Sequence, residues 1–183
     1  MLLVPDHELE RYNHQPMFDA QQIKQIQFFE KIISFGEPSA PFNCAAGQVV
    51  EDDNTIPLIY NPIREFLGKS NYLQFLYNIT MCETIQYYIL DTDNEIALHR
   101  DINLFGHRKE DRRITVLTIL SEKNEYTGGE LSVDINGTGE HQSIEAAAGD
   151  MLCFDSHVSW KINPVQSGQL KLLFTCGWGP LQI

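Results

Sequence analysis

From residue 81 onward the chain is a succession of short extended runs cut by turn residues, and that rhythm limits the folds open to it more than any other feature. The run Arg113-Ile114-Thr115-Val116-Leu117-Thr118-Ile119-Leu120 is the strongest strand signal, being largely β-branched and apolar. Further strands are expected over 84–90, 96–99, 129–135, 141–144, 150–154, 160–162 and 170–178. Asp91-Thr92-Asp93-Asn94 and Asn136-Gly137 supply turns between them, and residues 102–112 form a polar, charged loop around Gly106. Strands this short and this closely spaced imply a sandwich or barrel.

The first 80 residues differ in kind. Asp19 can cap a helix over 20–35, with Ile23, Ile26, Phe29 and Ile33 on one stripe and Gly36 and Pro38 to end it. Asn61-Pro62 is a cap followed by a first-turn proline, opening a second helix to about residue 67. Residues 72–79 fit helix or strand equally. Helices before and strands after predict an α+β arrangement, with the helices packed on one outer face of the strands. No repeat, linker or low-complexity stretch divides the chain. A single domain over 1–183 is therefore expected, with 1–80 a mainly helical support and 81–183 the strand core.

Thirteen Lys and Arg against 25 Asp and Glu give a net charge of −12, which disfavours nucleic acid and anionic lipid as partners. An anionic small ligand would need only one local cation. Cys44, Cys82, Cys153 and Cys176 are scattered, with no Cys-x-x-Cys; the last three lie in apolar runs and read as buried reduced thiols. No apolar stretch is long enough to cross a bilayer, and the first residues lack a basic region and a long apolar run. A cytoplasmic protein is expected.

His99-Arg100-Asp101 closes the strand predicted over 96–99. On extended backbone, residues i and i+2 face the same way, so an imidazole and a carboxylate converge there. Such a pair can hold one small divalent ion, and non-haem Fe(II) takes it together with one further His.

With these segments in order, the second half of the chain resembles the Fe(II)- and 2-oxoglutarate-dependent dioxygenases, in their prolyl-hydroxylase-like branch. The resemblance runs over about 86–180. It rests on His99-x-Asp101, Arg113-Ile114-Thr115, Tyr126-Thr127-Gly128-Gly129-Glu130-Leu131, Ala148-Gly149-Asp150-Met151-Leu152-Cys153-Phe154 and Asn163-Pro164-Val165-Gln166-Ser167-Gly168. It implies a double-stranded β-helix, the cupin-like jelly roll. It also implies Fe(II) on His99 and Asp101, and 2-oxoglutarate oxidised with O₂ to succinate and CO₂ while a peptide side chain or small metabolite is hydroxylated. Tyr88, Thr115 and Lys171 are the cosubstrate contacts that it suggests, and Arg100 and Arg108 the substrate contacts. The Gly128-Gly129 and Gly149-Asp150 segments read as turns without chemistry, and Arg113 is expected to pair with a nearby acid.

The chain departs from the family at three places. The third iron ligand, a His, is matched by Trp160, the arginine that binds the far carboxylate of 2-oxoglutarate is matched by Leu170, and a tyrosine that often contacts the same carboxylate is matched near Ile119. An indole N–H donates a hydrogen bond and cannot ligate. His157 is either a substitute third ligand or a surface-loop histidine. Lys171 replaces the arginine only if the strand register shifts by one residue. The implied oxygenase thus stands beside an alternative: a degenerate jelly roll that binds a ligand or partner without turnover.

Overall fold

A computed structural model describes residues 12–102 and 110–180 of the chain. In chain order its strands are β1 (Tyr12–Pro16), β2 (Phe35–Gly36), β3 (Phe42–Asn43), β4 (Ala45–Gln48), β5 (Met81–Cys82), β6 (Gln86–Leu90), β7 (Glu95–His99), β8 (Glu110–Ile119), β9 (Tyr126–Gly128), β10 (Leu131–Val133), β11 (Gln142–Ile144), β12 (Asp150–Asp155), β13 (Trp160–Ile162), β14 (Val165–Gly168) and β15 (Leu170–Pro180). The α-helices are α1 (Ala20–Phe28) and α2 (Asn61–Ser70). A large antiparallel sheet has the order β1-β12-β8-β15-β6-β4-β2, with β5 paired to β15. A second sheet, β11-β10-β13-β7-β3, faces it, and β14 pairs with β9 at one end. This is the α+β jelly roll that the strand rhythm and the resemblance led us to expect.

Period-two alternation sorts the side chains of the large sheet into two cores. Leu170, Leu172, Phe174 and Cys176 of β15 point between the sheets, with Leu117 and Ile119 of β8 and Leu152 and Phe154 of β12. Leu173, Ile114, Val116, Met151 and Cys153 point the other way, onto Ile23 and Ile26 of α1 and Ile63, Phe66 and Leu67 of α2. Both helices therefore cover one outer face. Burying each such aliphatic side chain contributes roughly 1.5–3 kcal/mol, so neither layer is dispensable.

The N-terminal segment is less helical than its sequence suggests. It supplies β1 to β4, and β1 pairs along its whole length with β12, from Tyr12 opposite Phe154 to Pro16 opposite Asp150. Asp19 caps α1 as expected, its carboxylate accepting from the Gln22 amide while the Gln22 side chain takes the Asp19 amide. The helix stops at Phe28 and continues as a tighter 3₁₀ turn, Phe29–Ile32. Asn61 is not a cap, because a wide π turn, Ile56–Tyr60, already leads into α2. The ambiguous stretch begins as a second π turn, Asn71–Phe75, ended by Leu76 in the left-handed region at φ 56°. Gly149 serves as a turn: at φ +90° its absent Cβ leaves room for the Phe18 backbone, and its carbonyl accepts from the Met17 and Phe18 amides.

Candidate metal corner and cavity

His99 ends β7 directly opposite Trp160 of β13, so the two side chains share one face of the smaller sheet. Asp101 follows two residues later, its amide donating to the Ser156 carbonyl at 3.2 Å, which ties it to the loop after β12. Its side chain is almost wholly buried, and that of His99 largely so. Asp101 Oδ2 accepts two hydrogen bonds, from Trp160 Nε1 at 2.7 Å and Thr115 Oγ1 at 2.6 Å. Its other oxygen, Oδ1, stands 3.3 Å from His99 Nε2.

The protonation of the imidazole follows from its second nitrogen. His99 Nδ1 lies 2.8 Å from the Ala97 carbonyl, which can only accept, so Nδ1 carries a proton. In the neutral ring Nε2 then holds a lone pair aimed at a carboxylate oxygen. Two lone pairs at that separation require a cation between them, either a proton or a metal ion. Two donors placed at right angles around an ion, each at a bond length of about 2.1 Å, stand about 3 Å apart. The observed pair meets that spacing, and its outer hydrogen bonds are those that orient metal ligands. His99 and Asp101 thus fit a divalent ion as two donors.

The corner opens onto a cavity of about 480 Å³, walled by Phe42, Glu83, Arg100, Arg112 and Trp178 beside the two donors. Arg112 donates to Glu83 Oε1 at 2.7 Å and lies over the ring of Trp178. Behind the donors, Phe42, Trp160 and Phe174 form a mutually packed aromatic group that includes Tyr88, stacked on Phe42 at 5.1 Å. Burial pushes the Tyr88 phenol well above its usual value, so it is neutral.

Several expected site residues lie elsewhere. His157 does not approach His99 and Asp101; its Nδ1 is held at 2.9 Å by Asp155, and its ring is part-exposed. Among the described residues, no third His, Cys, Asp or Glu completes a metal cluster. Lys171 faces the helical layer and pairs with Glu30 at 2.7 Å, because β15 keeps its register against β6 and no bulge turns it inward. Leu170 fills the inner position, opposite Leu90 and fully buried in the apolar core, so the position that the resemblance matched to the family's arginine is apolar. Thr115 is spent on Asp101. Arg113 donates to the Pro180 carbonyl and lies over Tyr77; Arg112 makes the ion pair instead. Arg100 lines the cavity, and Arg108 lies outside the described residues.

Sequence reasoning missed Phe42 and Glu83 as cavity walls. Both reach the site through long-range pairing, β3 with β7 and the segment at β5 with β15, and no local pattern marks either. The role of the Trp160 N–H had a signal that went unused: a buried indole needs an acceptor, and Asp101 is a buried carboxylate.

Residues 84–178 match the family model described as the 2OG-Fe(II) oxygenase superfamily. The fold is similar to that of a Pseudomonas putida prolyl-4-hydroxylase, at 13% identity and TM-score 0.74, with 94% of each chain covered. It is also similar to a Trichoplax adhaerens prolyl hydroxylase, solved in complex with a hypoxia inducible factor peptide fragment, at 13% identity and TM-score 0.73, covering 92% of this chain and 84% of that one. A collagen prolyl hydroxylase of Paramecium Bursaria Chlorella virus-1, solved as its 2OG complex, shows 16% identity and TM-score 0.70, with 92% and 96% covered. No curated protein sequence matches the chain.

Proposed function

Since the chain belongs to the 2OG-Fe(II) oxygenase superfamily, we propose that it is an oxygenase that holds iron, among its described residues, on the side chains of His99 and Asp101, and hydroxylates a peptide side chain or small metabolite in the cavity beside them. The family consists of dioxygenases whose cofactors are Fe(II) and 2-oxoglutarate. The observation that carries the reading is the 3.3 Å approach of His99 Nε2 and Asp101 Oδ1 at the mouth of an open cavity.

Bound there, iron supplies the dioxygen activation that the side chains lack. The side chains perform the rest. Asp101 presents Oδ1, because Oδ2 is committed to Trp160 and Thr115. His99 presents Nε2, because the Ala97 carbonyl holds the proton on Nδ1. The aromatic group behind the pair keeps water from that side. Arg100 and Arg112 offer positive charge to an acidic group on the substrate. A peptide is favoured by the Trichoplax relative, whose structure holds one.

One observation favours a second reading. The Trp160 N–H already satisfies Asp101, and Leu170 fills the cosubstrate side with apolar volume, an arrangement suited to a module that binds a ligand or partner without turnover. Anaerobic loading with Fe(II), followed by metal analysis and an assay of 2-oxoglutarate-dependent succinate release, separates the two. The oxygenase reading expects near-stoichiometric iron and succinate, both lost in His99→Ala. Wild-type protein that takes up no iron and releases no succinate leaves only the binding module.

A further inference from the structure

Trp160 stands where a third ligand would be, yet its contacts are those of a support. Its ring is fully buried and its N–H donates to Asp101 Oδ2 at 2.7 Å. Its ring lies against the His99 imidazole, with centroids 4.6 Å apart and planes inclined by 54°. The backbones of the two residues are paired across β13 and β7. One indole therefore touches both donors, in a different way for each: it bonds the rear oxygen of the carboxylate and braces the imidazole. Thr115, also fully buried, holds the same carboxylate oxygen from the opposite sheet.

We propose that Trp160 has exchanged ligation for positioning. Together with Thr115 it turns the Asp101 carboxylate so that Oδ1 faces His99 Nε2, and it fixes the imidazole plane. The result is a preset pair of donors for a divalent cation, set at the edge of the cavity where water or the oxygen atoms of a carboxylate-bearing ligand can reach the same ion. This inference rests on the two-donor reading of the corner given above.

The physical basis is that groups hydrogen-bonded to ligating carboxylates and imidazoles set their orientation, and that removing one typically weakens metal binding 10- to 100-fold. Mn(II) is the probe, titrated into the full chain and counted by the electron paramagnetic resonance of the free ion. The chain has two tryptophans, so its indole N–H region holds two nitrogen-15-resolved signals, and Trp160→Phe identifies the one that disappears. The expected result is that Mn(II) broadens the Trp160 signal in the wild type. Trp160→Phe and Thr115→Val should each raise the Mn(II) Kd by roughly tenfold or more while circular dichroism shows a folded protein. Should Trp160→Phe fail to fold, Thr115→Val decides, because it removes a hydrogen bond to the same oxygen with little change of volume. Unchanged Kd values in folded variants overturn the positioning role and leave the proposed function standing. A wild type that binds no Mn(II) overturns both.

Discussion

At the scale of single residues, two of the departures from the family pattern act in opposite ways. Trp160 is attached to the His99–Asp101 corner through its N–H, whereas Leu170 belongs to the core between the sheets. The identity of both was legible in the sequence, but only the first retains a role at the site. Leu170→Arg would place a guanidinium among Leu90, Leu172 and Val165 with no acid opposite it. An unpaired buried charge costs about 3–5 kcal/mol. We expect the urea midpoint to fall by that equivalent, and a variant as stable as the wild type would mean that the space behind the corner is polar. His157 teaches a related lesson. Sequence proximity to Trp160 made it a candidate ligand, but Asp155 at 2.9 Å is a nearer partner than the metal corner.

At the scale of elements, the structure shows where local pattern is a sound guide and where it is overridden. Asp19 was readable as a helix start because a cap is a contact between residues three apart, and the structure adds the reciprocal bond from Gln22. Asp19→Ala removes the carboxylate half of that exchange and leaves the backbone N–H of residue 19 on Gln22, and thermal unfolding should register a loss of about 1 kcal/mol. No change would show that α1 is held by the packing of Ile23 and Ile26 without help from the cap. The end of α1 was not readable. Gln27 donates to the Leu120 carbonyl, and Glu30 takes Lys171 and the Tyr87 hydroxyl, so contacts far along the chain tighten the last turns into a 3₁₀ helix. Strand phase behaved differently. The one-residue offset between Leu170 and Lys171 decided which of them enters the core, and period-two alternation across β15 fixed that without help from the helices.

At the scale of the whole molecule, buried titratable groups set the pH range of stability. Burial pushes the thiols of Cys44 and Cys153 up to about 12, and those of Cys82 and Cys176 upward as well. An unfolded thiol loses its proton near 8.5. Above that pH the unfolded chain binds fewer protons than the native one, so stability is fully present below about 8.5 and declines as pH rises toward the native values. Burial alone would raise the Asp155 carboxyl, but hydrogen bonds from His157 and Tyr77 outweigh it and hold the group below the usual carboxylate range. Its contribution is present above about 4, near the unfolded value, and is lost as pH falls through the native one. Urea midpoints should therefore be flat between about pH 5 and 8 and fall on both sides. Cys153→Ala should soften the alkaline decline, and an identical decline would show that Cys153 does not contribute to it. Among the described residues no helix is long and apolar enough to cross a membrane. The strand sequence, the turn residues and the His-x-Asp spacing were determined by the chain itself, because each depends on backbone periodicity over a few residues. Tertiary structure alone decided that β1 and β3 join the sheets, that Phe42 walls the cavity, and that the Trp160 N–H meets Asp101. Those contacts link residues 52 to 142 positions apart, where no local propensity reaches and only the closing of the two sheets brings the groups together.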